Sequence, residues 1–553
     1  MKRTAAQLLA ATLDAHGVDL AFCVPGESYL AVMDALIDHP KIRLIVCRHE
    51  SGAGFMAVAD GRVRGRPGVC FVSRGPGATN ASIAIHTADH DAVPAVFFIG
   101  HVSRREMGRK TLQEVNWAKT FSDMAKMVIE VDRADAIAEA TARAFYVAQA
   151  STPGPVVVVL PADMQDDETE APVLGPRPLA PSAPRAEDVA RTAAMLSAAE
   201  RPLVMVGGGL KGADALAALT RFSQAWSLPV CPTHRWPHLF DSSHANYGGY
   251  MGNRVAPDQL AAWETSDLVL ALGERLSASA TQRYRFPKAP KPDQPLIHVW
   301  PDACEIGRVW EPEIGLGCDP HAFIEAMMAE HPGQAPGARK EWIDGLNRLH
   351  RDLTTWEPTS SNDGVVFGSV VAAINERIAP DALITTDAGN FASFIHRYLY
   401  FTQANMFVGS SVGAMGAGVP SAVAAGLAEP GRQLVCITGD GGALMTGNEL
   451  ATAVQYGVPV KIFVANNSSY GTIRHHQALH FPGRETSTYL RNPDFAAWGA
   501  SFGAKGLRIE NDADVGPVVA DAMTSEGAVV VDVRTSLNYI SAWVRLDEMP
   551  AYR

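Results

Sequence analysis

The sequence predicts an α/β protein of three doubly wound domains with mainly parallel sheets. Short apolar runs such as "PVVVVL" (155–160) are hydrophobic throughout, which is typical of strands that helices cover on both faces. Helix-like segments separate these runs. Two segments rich in proline and polar residues, 166–188 and 330–342, divide the 553 residues into three blocks. A chain of this length is too long for a single core.

The first predicted domain is residues 1–165. Its opening segment is predicted to be an amphipathic helix that ends near Gly17, because Asp14 and His16 interrupt the apolar stretch. The predicted buried strands of this domain are 42–47, 69–73, 95–99 and 155–160. Ligands of parallel sheets bind beyond the carboxyl ends of strands, so the residues that follow these runs are candidate site residues.

The remaining predicted units are a central domain, 189–330, a third domain, 360–535, and a C-terminal tail, 536–553. We predict strands at 202–207, 267–273 and 296–300 in the central domain, and at 382–386, 433–438, 460–465 and 528–533 in the third. The tail carries aromatic and basic residues, which suit either a lid over the site or packing on a neighbouring subunit.

Composition favours small-molecule chemistry. A formal net charge of -12 offers no basic surface for nucleic acid or an anionic membrane. No apolar run approaches the roughly 20 residues of a membrane span. The cysteines form neither a Cys-x-x-Cys motif nor a paired framework, which fits a reducing cytoplasm; they are Cys23, Cys47, Cys70, Cys231, Cys304, Cys318 and Cys436.

Two polar residues follow neighbouring predicted strands of the third domain. Asp440 comes directly after one strand and Asn467 after the next. Adjacent parallel strands would bring both side chains together, and their oxygens suit Mg²⁺ or Ca²⁺ rather than zinc. Three glycines beside Asp440 let the backbone approach a phosphate, and a helix predicted to open at about 443 points N–H groups toward it; they are Gly439, Gly441 and Gly442.

This pair resembles the Gly-Asp-Gly to Asn-Asn signature of thiamine diphosphate enzymes. The resemblance implies that Asp440, Asn467 and the backbone oxygen of Ser469 hold Mg²⁺, which in turn holds the cofactor diphosphate. It also places the neighbouring Tyr470 and Gly471 among the cofactor-binding residues.

The first domain supplies the acid that this cofactor needs. Glu50, at a predicted helix start in "IRLIVCRHESGAG", looks like the Glu of the Arg-His-Glu segment in the acetolactate synthase branch of the family. A carboxylic acid beside the aminopyrimidine favours the tautomer that removes the thiazolium C2 proton. Without this resemblance, a lone Glu at the start of a helix would be interpreted as stabilising the helix through its dipole.

Further segments resemble the family in the same order. "SRGPGATN" (73–80), "TLQE" (111–114), "VPGES" (24–28), "SSVGAMGAGVP" (410–420) and "DAGN" (387–390) are the matching stretches. The resemblance implies that Met415 bends the cofactor, that Gly413 binds the pyrimidine, and that Asn390 lies near the diphosphate. It assigns Gln113 to the substrate pocket, and the remaining cofactor-binding residues are Pro25, Gly26 and Asn80.

The substrate side departs from biosynthetic acetolactate synthases. Ser279 stands where their Arg binds the carboxylate of the second keto acid, and His476 replaces their specificity Trp. We therefore expect Gln113 and His476 to line the substrate side. Segments associated with FAD in those enzymes are altered at 250–254 and 300–302, so FAD is expected to be absent or weakly held.

The resemblance implies an enzyme that makes or breaks a carbon–carbon bond beside a carbonyl. We expect a carboligase that decarboxylates a pyruvate-like 2-keto acid and transfers the product to a keto acid or aldehyde. An alternative is a lyase or decarboxylase of 2-hydroxyacyl-CoA or 2-ketoacyl thioesters. A more distant one is a nucleotide-dependent oxidoreductase that uses "GGGLKG" (207–212), although the required acid is missing from 228–235. The family builds its site between subunits, which implies a homodimer or homotetramer.

Overall fold

Three separate parallel sheets form the framework of the protein, which confirms the predicted fold class. The computed structural model describes residues 2–330 and 336–549. Within these residues, the first and third sheets have six strands and the middle sheet has five. Their long central strands are buried along their whole length, as continuous hydrophobic runs require.

The first sheet has the strand order β3-β2-β4-β5-β7-β6, and every pairing in it is parallel. A short antiparallel pair, β1 with β8, ties the two ends of this region together. The strands are β1 (Arg3–Thr4), β2 (Leu20–Cys23), β3 (Arg43–Val46), β4 (Gly68–Ser73), β5 (Ala95–His101), β6 (Met127–Glu130), β7 (Pro155–Pro161) and β8 (Glu168–Thr169). The helices are α1 (Ala5–Ala15), α2 (Leu30–Ile37), α3 (Glu50–Arg64), α4 (Arg74–His90), α5 (Trp117–Phe121) and α6 (Ile137–Gln149).

The middle sheet has the order β10-β9-β11-β12-β13 and is also entirely parallel. Its strands are β9 (Pro202–Val206), β10 (Val230–Pro232), β11 (Leu268–Leu272), β12 (Leu296–Trp300) and β13 (Ile314–Gly317). Its helices are α7 (Ala186–Ala198), α8 (Ala213–Trp226), α9 (Pro257–Glu264), α10 (Pro320–Ala329) and α11 (Gly337–Thr354).

Part of the second predicted linker is helical. The linker predicted at 330–342 overlaps α11, which begins at Gly337, while 331–335 lie outside the described residues. Helix α11 buries residues such as Ile343 and Leu346 along one face, so its first turn continues an amphipathic helix whose periodicity is weak at the start.

The third sheet repeats the strand order of the first, as β15-β14-β16-β17-β19-β18, with parallel pairings throughout. Its strands are β14 (Leu383–Thr386), β15 (Met406–Val408), β16 (Leu434–Gly439), β17 (Lys461–Asn466), β18 (Lys505–Ile509) and β19 (Val529–Arg534). Its helices are α12 (Phe367–Asn375), α13 (Ala392–Tyr398), α14 (Gly418–Ala428), α15 (Asp440–Thr446), α16 (Leu450–Gln455), α17 (Gly471–His480), α18 (Phe495–Ser501) and α19 (Asp512–Thr524).

The first and third sheets share a hydrophobic core. Helix α3 of the first region packs against α14 of the third, and their small side chains allow a close approach. This packing fixes the start of α3, and hence Glu50, relative to the third sheet. Among the described residues, no helix is both long and apolar enough to cross a lipid bilayer.

Candidate active site

The two predicted metal ligands lie at the same edge of the third sheet. Strands β16 and β17 are parallel neighbours, with Gly439 opposite Ala465. Asp440 and Asn467 directly follow these strands, and both line a cleft of about 490 Å³. The cleft lies between the middle and third sheets and the chain after β19, and it supplies the space for a cofactor.

A chain of amide hydrogen bonds orients the Asp440 carboxylate. The Gly441 backbone N–H donates to its Oδ1 at 2.8 Å, and Asn492 Nδ2 donates to its Oδ2 at 2.8 Å. Asn492 also donates to the Asn466 side chain, which donates in turn to buried Asp532. Burial raises the pKa of Asp440; a bound cation would favour its charged form.

The backbone beside Asp440 fits a diphosphate. Helix α15 begins at Asp440 itself and not at about 443 as the sequence predicted, with Gly439 as its N-cap. The orphan N–H groups of this first turn therefore point into the cleft directly from the strand end. Gly441 has no room for a side chain, since a Cβ there would lie 2.6 Å from the Tyr470 ring and 3.4 Å from Met415.

The donor set suits a hard cation. Asp440 offers a carboxylate oxygen, Asn467 an amide oxygen and Ser469 a backbone carbonyl beside them, and all three residues line the cleft. The described residues contain no cluster of three His, Cys, Asp or Glu side chains fit to hold a metal. A mixed oxygen shell completed by phosphate oxygens is the type that Mg²⁺ prefers.

All the other predicted cofactor-binding residues of the third domain also line this cleft. They are Asn390, Gly413, Met415, Gly439, Gly441, Gly442, Tyr470 and Gly471. Asn390 is held by a hydrogen bond from its backbone N–H to Thr472 Oγ1 at 3.0 Å and by a contact of its Nδ2 with His475 Nδ1 at 3.2 Å. Gly413 has a φ of 78°, a conformation that favours glycine.

The predicted residues of the first domain form a separate group. Glu50 is the first residue of α3, and its Oε2 accepts a hydrogen bond from Asn80 Nδ2 at 3.0 Å. Gln113 is exposed, with a φ of 67°, and its carbonyl accepts from the Gly75 N–H. Pro25 and Gly26 follow β2, and Gly26 packs against Ser73 at the end of β4.

This group lies outside the cleft of its own chain. None of Pro25, Gly26, Glu50, Asn80 and Gln113 lines the cleft that contains Asp440, although all of them are described. Asn80 and Gln113 are exposed, and Glu50 is only half-buried. In one chain the predicted acid and the predicted metal ligands thus belong to two separate groups, called here the two half-sites.

His476 lies on α17 but does not line the cleft in this chain. Its ring stacks between those of His475 and His480, at centroid distances of 5.8 and 6.2 Å. Partial burial lowers the pKa of His476, and the nearby Arg254 contributes. Ser279, in contrast, does line the cleft.

Sequence reasoning missed Glu449, which connects the two half-sites. Its side chain is completely buried, and its carboxylate accepts hydrogen bonds from the backbone N–H groups of Arg48 at 2.9 Å and His49 at 2.9 Å. These N–H groups directly precede Glu50, so Glu449 of the third domain holds the start of α3. The partners lie 401 residues apart, and no local pattern indicates such a contact.

Asp387 was also missed, although the sequence singled out the stretch 387–390. Its buried carboxylate accepts from the N–H groups of Ala388 and Ala417 and from Thr438 Oγ1, at 3.1, 3.2 and 3.1 Å. It thereby joins the ends of β14 and β16 to the loop before α14. Burial raises the pKa of Asp387 to about 6. The Gly-Asp-Gly motif indicates the phosphate side of the site, whereas no motif in the sequence indicates this buried carboxylate.

The glycine turn of the middle domain is covered by aromatic side chains. A Cβ on Gly208 would lie 2.1 Å from the Trp236 ring, and a Cβ on Gly209 would lie 2.8 Å from Trp300. In a dinucleotide-binding turn, such glycines leave room for a pyrophosphate. Here the same space is taken by the chain's own indoles, which disfavours the oxidoreductase alternative.

Models of three protein families match successive parts of the chain. The N-terminal TPP binding domain of thiamine pyrophosphate enzymes matches residues 3–121, the central domain of these enzymes matches 189–327, and their C-terminal TPP binding domain matches 387–533. These matches follow the three parallel sheets in order.

Curated relatives match over almost the whole chain. The acetolactate synthase large subunit of Corynebacterium glutamicum is 30% identical, over 96% of this chain and 86% of its own length. The acetolactate synthase isozyme 2 large subunit of Escherichia coli is 30% identical, over 96% and 95%. A probable acetolactate synthase large subunit of Methanocaldococcus jannaschii is 28% identical, over 96% and 91%.

Proposed function

Because the chain belongs to the thiamine diphosphate enzyme family, in the branch of the acetolactate synthase large subunits, we propose that it decarboxylates a 2-keto acid such as pyruvate and joins the remaining acyl unit to a carbonyl acceptor. The observation that carries this proposal is the pair of strand-end ligands, Asp440 and Asn467, on one edge of a matching C-terminal domain. With two molecules of pyruvate, the first loses its carboxylate as carbon dioxide. A carbon–carbon bond then forms to the carbonyl carbon of the second, whose oxygen takes up a proton.

When bound, thiamine diphosphate would supply a carbanion for attack on a keto carbon and an electron sink for the pair that decarboxylation leaves behind. We propose that Asp440, Asn467 and the carbonyl of Ser469 hold Mg²⁺ on its diphosphate, as their oxygens and the first turn of α15 favour. The Met415 side chain lies beside Gly441 and would support the bend between the two rings of the cofactor. Asn390, Tyr470 and Gly471 would enclose the diphosphate, and Gly413 the pyrimidine.

Glu50 would act as the acid beside the pyrimidine, with Asn80 fixing its carboxyl group. Because Glu50 lies outside the cleft of its own chain, we propose that two chains assemble so that the first domain of one completes the cleft of the other. Side chains near the two half-sites support such an assembly, since Leu112, Phe481 and Tyr489 are 76%, 62% and 81% exposed. A dimer is the smallest assembly with complete sites, and pairing of dimers gives the proposed homotetramer.

We also propose that the middle domain does not carry FAD. The packing of Trp236 on Gly208 and of Trp300 on Gly209 supports this view. The visible spectrum of freshly purified protein tests it. A stoichiometric flavin band at about 450 nm would contradict the proposal, whereas its absence with full turnover would support it.

The principal test replaces Glu50 by Gln, which keeps the side-chain shape and removes the acid. We expect cofactor C2 proton exchange, followed by NMR, and turnover to fall by about 100-fold or more, while thiamine diphosphate with Mg²⁺ still binds in calorimetry. Glu376→Gln is a matched control on an exposed side chain. Unchanged proton exchange in Glu50→Gln would refute the assigned role.

The reaction itself is tested by incubating the enzyme with pyruvate, thiamine diphosphate and Mg²⁺. Acetolactate, or acetoin formed from it, together with released carbon dioxide is the expected result. Cleavage of a 2-hydroxyacyl thioester without any product from pyruvate would favour the lyase alternative instead.

A further inference from the structure

Four residues at one end of the cleft form a chamber that the cofactor assignment does not use. The arginine chamber consists of His234, Arg235, Tyr250 and His396, all of which line the same cleft as Asp440. His234 and Arg235 follow β10 of the middle domain, whereas His396 lies on α13 of the third. The chamber thus belongs to the junction of the two domains.

Arg235 is buried and only partly satisfied. Arg235 is only 4% exposed, and its φ of 69° is a strained backbone conformation for a residue other than glycine. Its Nε donates to the Ser410 carbonyl at 3.1 Å, and its Nη2 lies 3.5 Å from the Asp387 carbonyl. Its Nη1 is enclosed and has no hydrogen-bond partner among the described residues. The guanidinium is therefore held from one side with one N–H₂ group left for a ligand.

The two histidines leave further nitrogens unused. Nδ1 of His234 and Nδ1 of His396 are enclosed without a partner among the described residues. The His396 ring stacks on Tyr250 at 4.6 Å and lies 6.2 Å from the ring of His234. Burial lowers the pKa of both histidines well below the usual range. This favours the neutral imidazole, whose tautomer with a proton on Nδ1 can donate a hydrogen bond there.

The Arg235 guanidinium has no carboxylate in direct contact. Within the described residues, Arg235 forms no ion pair, although the nearby carboxylates of Asp91 and Asp387 favour its charged form. A second buried cation, Arg62, donates to the Arg235 carbonyl and stacks on Trp236 at 3.8 Å. Asp91 pairs with Arg62 at 3.8 Å and accepts from the Ser411 N–H. A buried guanidinium without a direct ionic partner is costly, so Arg235 can still gain from a bound carboxylate.

We propose that the arginine chamber binds the carboxylate of a keto acid substrate, with Arg235 Nη1 and the free histidine nitrogens as donors. A carboxylate would satisfy three unpaired nitrogens and give Arg235 an ionic partner in direct contact. This inference rests on the proposed function, because it identifies the chamber as the place where a 2-keto acid is recognised by its anionic end. Tyr250 would help to position the ligand, because its ring stacks on His396 and its hydroxyl oxygen accepts a hydrogen bond from the Arg235 backbone N–H at 2.9 Å.

The test uses oxamate, an unreactive isostere of pyruvate, and oxamide, its uncharged diamide, as probes. Each is titrated by calorimetry into the protein loaded with thiamine diphosphate and Mg²⁺, and into the unloaded protein. The variants are Arg235→Met and His234→Leu, which keep volume while removing donors. Arg221→Met, on an exposed side chain of α8, is the matched control. Cofactor binding is measured for every variant in a separate titration.

We expect oxamate to bind the natural protein at least about tenfold more tightly than oxamide, and Arg235→Met to remove at least about tenfold of that affinity. His234→Leu should weaken oxamate several-fold without altering oxamide or cofactor binding, and it decides the matter if Arg235→Met does not fold. Equal affinity for both probes, no oxamate binding, or unchanged affinity in a folded variant would overturn the proposal. A protein that binds oxamate but not thiamine diphosphate would instead contradict the proposed function and leave the chamber intact.

Discussion

Glu449 offers a direct test of how the two half-sites are connected. Its carboxylate is completely buried and accepts the N–H groups of Arg48 and His49, as well as Thr452 Oγ1 at 2.6 Å. In Glu449→Ala, these two backbone donors lose their acceptor. An unpaired buried donor costs about 1–3 kcal/mol, and because Arg48 lies at the surface we expect values toward the low end. The loss in free energy of unfolding should be about 2–4 kcal/mol.

The loss should extend to activity, because the same two N–H groups fix the start of the helix that carries Glu50. A displaced acid near the pyrimidine should lower turnover by about tenfold or more. Glu449→Gln keeps one acceptor oxygen and should recover most of the stability. Glu510→Ala, on an exposed side chain, should change stability by less than about 0.5 kcal/mol.

Urea unfolding followed by tryptophan fluorescence measures the stability change, and acetolactate formation measures turnover. If Glu449→Ala unfolds at the same urea concentration as the natural protein and keeps full activity, the contact neither stabilises the junction nor positions Glu50. The reasoning would then be wrong on both points.

Further expectations follow from individual residues. Burial lowers the pKa of His350 to about 4. Between about pH 6.5 and 4, this residue therefore binds a proton only in the unfolded chain, and each unit by which the pH is lowered reduces the free energy of unfolding by about 1.4 kcal/mol. Urea titrations at several pH values should show that this pH dependence is smaller by one proton in His350→Leu. Asn492→Ala removes a hydrogen bond to the proposed metal ligand and should weaken Mg²⁺-dependent cofactor binding about tenfold in calorimetry, and equal affinity would refute that role. Chelation of Mg²⁺ with EDTA should abolish cofactor binding, and retention of it would contradict the proposed ligand set. Gly208→Ala would place a methyl group against a tryptophan ring and should lower stability by about 1–3 kcal/mol, whereas Gly516→Ala, with open space around it, should be neutral or stabilising.

Edge strands show where pattern reasoning stops. All but one of the predicted runs correspond to central strands of their sheets, which are buried and hydrophobic almost throughout; the exception, 42–47, corresponds to the edge strand β3. In the three large sheets the unpredicted strands are β2, β6, β10, β13, β15 and β18, and all but β2 lie at an edge of their sheet. An edge strand is covered on fewer sides, so β13 alternates buried and exposed residues and β18 is mostly half-buried. The hydrophobic pattern of such an edge strand is too short or too mixed for the strand to be recognised from the sequence.

Proximity across the chain is the second limit. The sequence placed Asp440 and Asn467 together because both directly follow neighbouring strands, which is a local property. It had no means to find Asn492 or Glu449, whose partners are separated from them by other elements. It also grouped Gln113 and His476 in one substrate pocket, an expectation that stays a prediction because neither lines the cleft of a single chain.

The sequence by itself determined the fold class, the order of the domains and the residue types available for binding a metal and a diphosphate, because periodic hydrophobicity and strand-end motifs depend on neighbours in the chain. Only the tertiary structure decided that Glu50 lies outside the cleft of its own chain, that Glu449 binds the backbone directly before it, and that Arg235 is buried with an N–H₂ group that has no partner among the described residues. These outcomes depend on which distant surfaces pack together, and packing is set by the whole folded chain rather than by any one segment of it.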